Sequence, residues 1–185
     1  MSAQDRIDHE SLRVICQALG GASSLEVLAD NMNGLLTSTL GIKGSTLFVL
    51  NPNTRELELL ASFGLSNQFL NKGPVIADKS LAQAMEGQSV IIPDTTVEKD
   101  LQYPEETHAE GIKAIVSLPM LGSGEVLGVL RLYHDQVWEV SQHDHDILLL
   151  LAENIGLAMR YTRVLNALQS IWDIVSSLPD GWERF

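Results

Sequence analysis

The chain has 185 residues, 45% of them hydrophobic, and carries 24 acidic against 12 basic side chains for a net charge of −12. That length fits one domain with some extra helix and is short for two. The acidic balance and the scattered placement of Lys and Arg argue against a hold on a phosphate backbone, so nucleic acid is not an expected partner.

The longest purely apolar run, Ile147 to Ala152, falls far short of the roughly 20 residues that span a bilayer. Met1 to Leu12 is polar and charged, without the apolar core of a secretory signal. The single Cys16 cannot make an internal disulfide, in keeping with a reducing compartment. A cytoplasmic location without membrane contact is therefore expected.

In chain order, Asp8 to Leu19 places Leu12, Ile15, Cys16 and Leu19 at helical spacing and stops at Gly20-Gly21, which predicts a short amphipathic helix. Ser24, a capping residue, precedes Leu25, Val27, Leu28, Met32, Leu35, Leu36 and Leu40, a second helix ended by Gly41. Ser45 to Leu50 reads as a compact strand and Asn51-Pro52-Asn53 as a turn. Glu56 to Ser62 is then its hairpin partner, with Leu57, Leu59 and Ala61 alternating against Glu58 and Leu60. Leu81 to Met85 reads as a short helix and Ser89 to Ile92 as a brief strand. Pro93 to Gly111 shows no strong period and is rich in carboxylates; it predicts a long connection with one or two helical turns, a kind of segment that tends to carry function.

Ile112 to Met120 and Glu125 to His134 read as paired strands across Gly122-Ser123-Gly124. Ser141 opens the last helix with Asp144 three positions on, a capping-box variant in which the hydroxyl accepts and the carboxylate reaches back. The apolar positions Ile147, Leu148, Leu151, Ile155, Ala158 and Met159 continue through Leu165, Leu168, Trp172 and Val175. A helix from Gln142 to Val175 is roughly 50 Å long, more than a domain of this size can cover. Leu165, Leu168, Trp172 and Val175, with Leu12 and Ile15 of the first helix, form a candidate interface with a second copy; the other reading is a helix folded back on its own domain.

The run from Gly124 to Met159, with its VLGVLRLY strand, loop, cap and striped helix, resembles the end of a GAF domain. VSLPM (Val116 to Met120) and GQSVIIPDT (Gly87 to Thr95) sit where such domains carry a strand ending in LPM and a strand ending in Pro-Asp. The resemblance implies an α/β (α+β) fold. Its parts are a mainly antiparallel sheet of five or six strands, terminal helices on one face and the long connection over the other. The expected division is a helical extension over 1–23, the GAF domain over 24–161 and a helical extension with tail over 162–185.

The resemblance also implies a non-catalytic regulatory domain that senses a small molecule and signals through the terminal helices of a homodimer to a downstream signalling protein. The ligand, any cofactor and that downstream partner are all unknown. The alternative is an interaction and dimerisation module with no ligand; an enzyme of unrecognised type is the third reading. The family's pocket lies between the sheet and the connection. The polar residues there are Asp94, Thr95, Tyr103 and His108, with Ser117, Arg131 and Tyr133 from the last two strands. Alternation puts Arg131 and Tyr133 on one face with Val129 and Leu127. An Arg on so apolar a strand needs a partner, either an anionic ligand or a carboxylate such as Asp135 or Glu125.

Other chemistries find little support. His108 sits among carboxylates, as a pH-sensitive donor or as a solvated side chain. His143 and His145 are two apart on a helix and do not face each other, so a shared metal is not expected there. Free methionine sulfoxide reductases of the family use several cysteines and bilin-binding members need one in the pocket region, whereas Cys16 lies in the first helix. Asn71-Lys72 opens the NKxnFxxxDE pattern of cyclic-nucleotide binders, but Gly73-Pro74-Val75 breaks it. The five histidines lack a distinctive haem context, and no Ser-His-Asp order or Gly-rich phosphate loop stands out. Trp182 and Phe185, after Pro179-Asp180-Gly181, form an aromatic tail for which docking on a partner, docking on its own chain and disorder are the readings.

Overall fold

The computed structural model describes residues 5–19, 25–51, 53–54, 56–73 and 79–177. Expectations for Gly20-Gly21, Ser24, Pro52, Pro74-Val75 and the tail with Trp182 and Phe185 lie outside the described residues, as do the side chains of Leu19, Leu25, Val27 and Leu28. The elements are α1 (His9–Leu19), α2 (Leu25–Leu40), β1 (Gly44–Leu50), β2 (Leu57–Phe63), α3 (Asn67–Leu70), α4 (Lys79–Met85), β3 (Val90–Ile92), α5 (Pro104–Ala109), β4 (Ala114–Gly122), β5 (Glu125–His134) and α6 (Gln142–Ser176). The five strands form one sheet in the order β2-β1-β5-β4-β3, and every neighbouring pair is antiparallel.

The sheet separates two apolar layers. On one side α2 and α6 lie across it with α1 packed on both helices. There Leu47, Val116, Leu118, Met120, Leu130 and Leu132 meet Met32, Leu36, Leu148, Leu151, Ile155 and Met159. This is the main core, because three helices and four strands each contribute a stripe to it. On the other side Ile115 and Tyr133 pack with Phe69, and Val129 packs with Leu81 and Ala84 of α4. Strand residues of β4 and β5 therefore alternate between the two layers, which is why both strands are buried along nearly their whole length.

Two irregularities alter the expected faces. The register between β1 and β2 shifts between Leu47 and Phe48, with Leu47 opposite Ala61 and Phe48 opposite Leu59. The extra residue, Leu60, is a bulge, and it reverses the alternation. Ala61 joins the helix-side core while Leu57 and Leu59 face the other layer, so the three do not share one face as their spacing suggests. A second shift follows Met120, where Leu121 pairs with Val126. It takes Leu127 out of the alternation: its Cδ1 is 2.5 Å from where a Cβ on Gly122 would stand, a place that the Arg160 side chain of α6 also approaches. Leu127 thus does not share a face with Arg131 and Tyr133.

The start of α6 follows its sequence signal in part. Ser141 Oγ accepts from the Asp144 N–H at 3.1 Å. The Asp144 carboxylate, fully buried, does not turn back to the cap. It accepts from the backbone N–H of Arg6 (2.9 and 3.1 Å) and of Ile7 (3.0 Å), fastening the segment before α1 to the first turn of α6. Ile15 is 1% exposed inside the main core and Leu12 packs against it. The apolar stripe of α1 is occupied by its own domain, which removes Ile15 from any surface shared with a second copy. By contrast, beyond Thr162 every described residue of α6 is exposed, so the fold-back reading does not hold for 163–177. Among the described residues no helix is long and apolar enough to cross a membrane.

Candidate functional site

On the face away from the terminal helices, polar groups stand at one level across three strands. Arg131 of β5 pairs in register with Thr46 of β1 on one side and Ser117 of β4 on the other. All three are nearly fully buried. Two residues on, Tyr133 reaches diagonally so that its hydroxyl lies 3.2 Å from Thr46 Oγ1. The Arg131 guanidinium carbon is 5.8 Å from the Tyr133 ring centroid, within cation–π reach. Ser117 Oγ is buried and makes no hydrogen bond among the described residues.

The cover over this row comes from two segments. The first is the turn around α3, where Ser66 Oγ accepts from the Phe69 N–H at 3.1 Å and caps the helix. Phe69 then stands edge-on to Tyr133, centroids 5.7 Å apart at 85°. Lys72 donates to the Phe69 carbonyl at 3.1 Å and holds its ammonium 3.5 Å above the Phe69 ring. The second is the stretch into α5, from which Leu101, Gln102, Tyr103 and Thr107 face Arg131 and Tyr133. Gly73 joins the two: its φ is +133° and a Cβ there would stand 2.6 Å from the Tyr103 hydroxyl, so only glycine lets that hydroxyl approach. Glu110, just after α5, accepts from the N–H and hydroxyl of Ser66 and lies 3.7 Å from Lys43 Nζ, which locks the two covers together.

Space under the cover is uneven. At Arg131 the gap is only about 10 Å³, because Phe69, Tyr103 and Tyr133 fill it. Beside it, toward β1 and β2, a cavity of about 190 Å³ is lined by Thr46, Phe48, Leu57, Leu59, Lys72 and Tyr133 among others. Drug-sized ligands occupy pockets of about 300–1,000 Å³, so a guest here is a small metabolite or the cover must shift. Lys72 and Arg131 bring two positive charges to one cleft of an acidic chain. Thr46, Tyr103 and Tyr133 add hydroxyls to the same region.

Of the residues expected from sequence, Tyr103, Arg131 and Tyr133 meet at this cleft and Ser117 adjoins it in register. Asp94, Thr95 and His108 do not line it and instead build the connection. Asp94 accepts from the Thr96 hydroxyl (2.6 Å) and N–H (2.9 Å), and these bonds hold its carboxyl below the ordinary value. Thr95 donates its hydroxyl to the Ile112 carbonyl and its N–H to the Lys113 carbonyl, both at 2.8 Å. His108 is exposed, with Nε2 3.3 Å from the Thr95 carbonyl. Sequence reasoning missed Thr46, Phe69, Lys72 and Thr107. Thr46 had the same signal as Arg131, a polar side chain in an otherwise apolar strand; Phe69 and Lys72 lie in a short turn with no period to read. Among the described residues no group of three or more His, Cys, Asp or Glu is placed to hold a metal ion. Cys16 lies in α1, across the sheet from the cleft, and partial burial pushes its thiol pKa up, away from a reactive thiolate.

An antiparallel five-stranded sheet, backed by terminal helices and roofed by short helical turns over a charged cleft, defines an α+β module. The family model of the GAF domain matches residues 9–159, and the chain belongs to the GAF domain family. Members are regulatory and sensory domains of signalling proteins, generally not catalytic, and some bind small molecules. Among solved structures, the chain is similar to the GAF domain of a phosphoenolpyruvate-protein phosphotransferase (ptsP) from Coxiella burnetii. That match has 19% identity and a TM-score of 0.73, and covers 85% of this chain and 95% of that one. A domain of a putative two-component sensor histidine kinase from Sinorhizobium meliloti matches at 15% identity with a TM-score of 0.69, covering 80% of this chain and 99% of that one. Free methionine-R-sulfoxide reductase from Neisseria meningitidis, in complex with its substrate, matches at 15% identity with a TM-score of 0.70, covering 89% and 98%. No curated protein is similar enough in sequence to count as a match.

Proposed function

We propose that this chain is a non-catalytic sensory domain that holds a small anionic molecule between the sheet and its cover, and passes the change to α6 in a homodimer. The observation that carries the reading is the meeting of Lys72, Arg131, Tyr103 and Tyr133 from separate segments at one cleft. A route to the helix exists in the same strands. β5 turns Arg131 to the cleft and Leu130 and Leu132 to the helix side. On the neighbouring strand Arg160 of α6 donates to the Gly122 carbonyl at 3.0 Å. Closure of residues 66–73 and 101–107 over a ligand shifts β4 and β5 against α6. For that shift to be a signal, the ligand must bind the two helix settings unequally.

Native mass spectrometry of gently purified protein tests this. Retained non-protein mass that is lost in Arg131→Ala and in Lys72→Ala, with thermal unfolding unchanged by more than a few degrees, supports the sensor. The alternative is an interaction module whose cleft is filled by its own side chains, and the gap of about 10 Å³ at Arg131 favours it. No retained mass, together with an equal loss of stability in both variants, would establish that alternative.

A further inference from the structure

The exposed part of α6 carries a heptad pattern, and its composition selects the number of helices that pack together. With Leu168 at position a, the a positions are Tyr161, Leu168 and Val175, and the d positions are Leu157, Val164 and Ile171. These six are 51–65% exposed. From 155 onward, where the seam begins, the buried residues of α6, Ile155, Gly156, Met159 and Thr162, fall at b, c and f. The seam therefore runs along the side of the helix facing away from its own domain.

The seam is wider than a two-stranded coiled coil needs. From 161 to 175 the e positions are Leu165 and Trp172 and the g positions are Ala167 and Ile174. Every b, c and f position from 162 to 177 is polar: Thr162, Arg163, Asn166, Gln169, Ser170, Asp173, Ser176 and Ser177. Two-stranded coils carry charged pairs at e and g, where the seam meets water. Here those rows hold a leucine, a tryptophan that is 67% exposed, an alanine and an isoleucine that is 64% exposed. Pairing through a and d alone leaves them in solvent.

The a and d residues point the same way. Two-stranded parallel coils favour β-branched residues at a and Leu at d, whereas Leu at a with Ile at d shifts the preference to three or four strands. This helix has Leu168 at a between Val164 and Ile171 at d. The exposed side chains from Leu157 to Val175 present on the order of 1,000 Å² per helix, above the ~800 Å² a side of a standard stable interface. Among the described residues nothing covers this surface, since α1 is packed on its own core through Ile15. From 161 to 175 the a, d, e and g rows carry no charge that would call for an oppositely charged partner; Arg160, at the g position before them, donates to the Gly122 carbonyl of its own domain.

We propose that residues 157–175 of α6 assemble four copies of this chain into a four-helix bundle, burying the a and d rows and, from 161 onward, the e and g rows. The inference rests on the homodimer reading above and extends it from one pair to two. Sedimentation equilibrium of the full chain, checked by native mass spectrometry, tests it. A tetramer is expected. In the variant Leu165→Glu/Ile174→Lys, which alters only e and g, the mass is expected to halve to a dimer while the melting of the sheet domain is unchanged. In Val164→Leu/Leu168→Ile/Ile171→Leu, which exchanges the a and d preferences without adding charge, the tetramer is expected to weaken at least tenfold relative to the dimer. A wild-type dimer would overturn the four-helix bundle and leave the homodimer standing. A wild-type monomer would overturn both. A tetramer indifferent to the e and g charges would show that another surface assembles the copies, and would also overturn the proposal.

Discussion

Gly156 brings the backbone of α6 close to that of the sheet, and Gly156→Ala is predicted to destabilise the protein although alanine is the better helix former. A Cβ at this position would stand 2.5 Å from the Leu121 carbonyl oxygen and 3.1 Å from the Leu121 backbone nitrogen and carbonyl carbon. Carbon–oxygen contacts settle at about 3.3–3.6 Å, so α6 must retreat from β4 by roughly 0.8 Å or the strand must bend. The clashing atoms are backbone, which cannot rotate away. Overpacking of this kind costs about 1–3 kcal/mol, and the gain in helix propensity offsets about 1 kcal/mol. The expected net loss is up to about 2 kcal/mol, a fall in Tm of up to about 8 °C for a chain of this length. Gly34 in α2 supplies the comparison, since its nearest neighbour to a new Cβ is the Phe63 ring at 3.6 Å, an ordinary contact. Gly34→Ala is therefore expected to gain up to about 1 kcal/mol. Urea unfolding of the two variants beside the parent decides the matter. Equal or greater stability in Gly156→Ala would refute the close-packed seat of α6.

Three further outcomes follow from bonds already described. Asp144→Asn leaves a single acceptor oxygen for the Arg6 and Ile7 N–H groups and is expected to cost about 1–3 kcal/mol. Hydrogen exchange should show those two amides losing protection before β4 and β5 do, and unchanged protection at residues 6 and 7 would sink the fastening role. Thr95→Val removes the buried hydroxyl bond to Ile112 and is expected to cost about 1 kcal/mol without altering any retained ligand; a loss of ligand would return Thr95 to the binding set. The Asp94 carboxyl, held down chiefly by the Thr96 hydroxyl, titrates below the ordinary value of 3.8. Its folded-state pKa is the depressed one, so its contribution is complete above the unfolded value and is lost as pH falls through the lower folded value. A carboxyl-carbon NMR titration should find that midpoint below 3.8 in the parent and higher in Thr96→Val; an unmoved midpoint would refute the cause given.

What the sequence made legible was mostly local. The cap at Ser141, the length of α6 and the β4–β5 hairpin across Gly122-Ser123-Gly124 follow from period and turn chemistry within a few residues, whereas the antiparallel sheet as a whole comes from the family resemblance. The face of Ala61 was not legible, because a bulge at Leu60 changes which residue opposes which without altering the composition of the strand. The partners of Asp144 were also hidden, since Arg6 and Ile7 lie 138 and 137 positions away and no pattern links them. Ile15 had the spacing of an interface residue, but spacing alone does not say whether a stripe faces its own core or a second chain. The cleft was half legible. Arg131 and Tyr133 stood out on an apolar strand, whereas Lys72 reaches the cleft from a turn whose course depends on the Phe69–Tyr133 contact and on Gly73.

The two-sidedness of β5 bears on how such a chain can change over time. Arg131 faces the cleft while its neighbours Leu130 and Leu132 face the helices, so inserting or deleting one residue within the strand exchanges the two sets and drives a guanidinium into the main core. Point substitutions at 129, 131 and 133 can diversify what the cleft accepts without disturbing α6. Length changes are tolerable only at the hairpin turn through Ser123, whose φ of +54° already departs from strand geometry. Lineages that acquire new ligands on this scaffold should accordingly differ by replacement along β5 and by insertion at the turn, with an unbroken count of residues between Gly128 and His134.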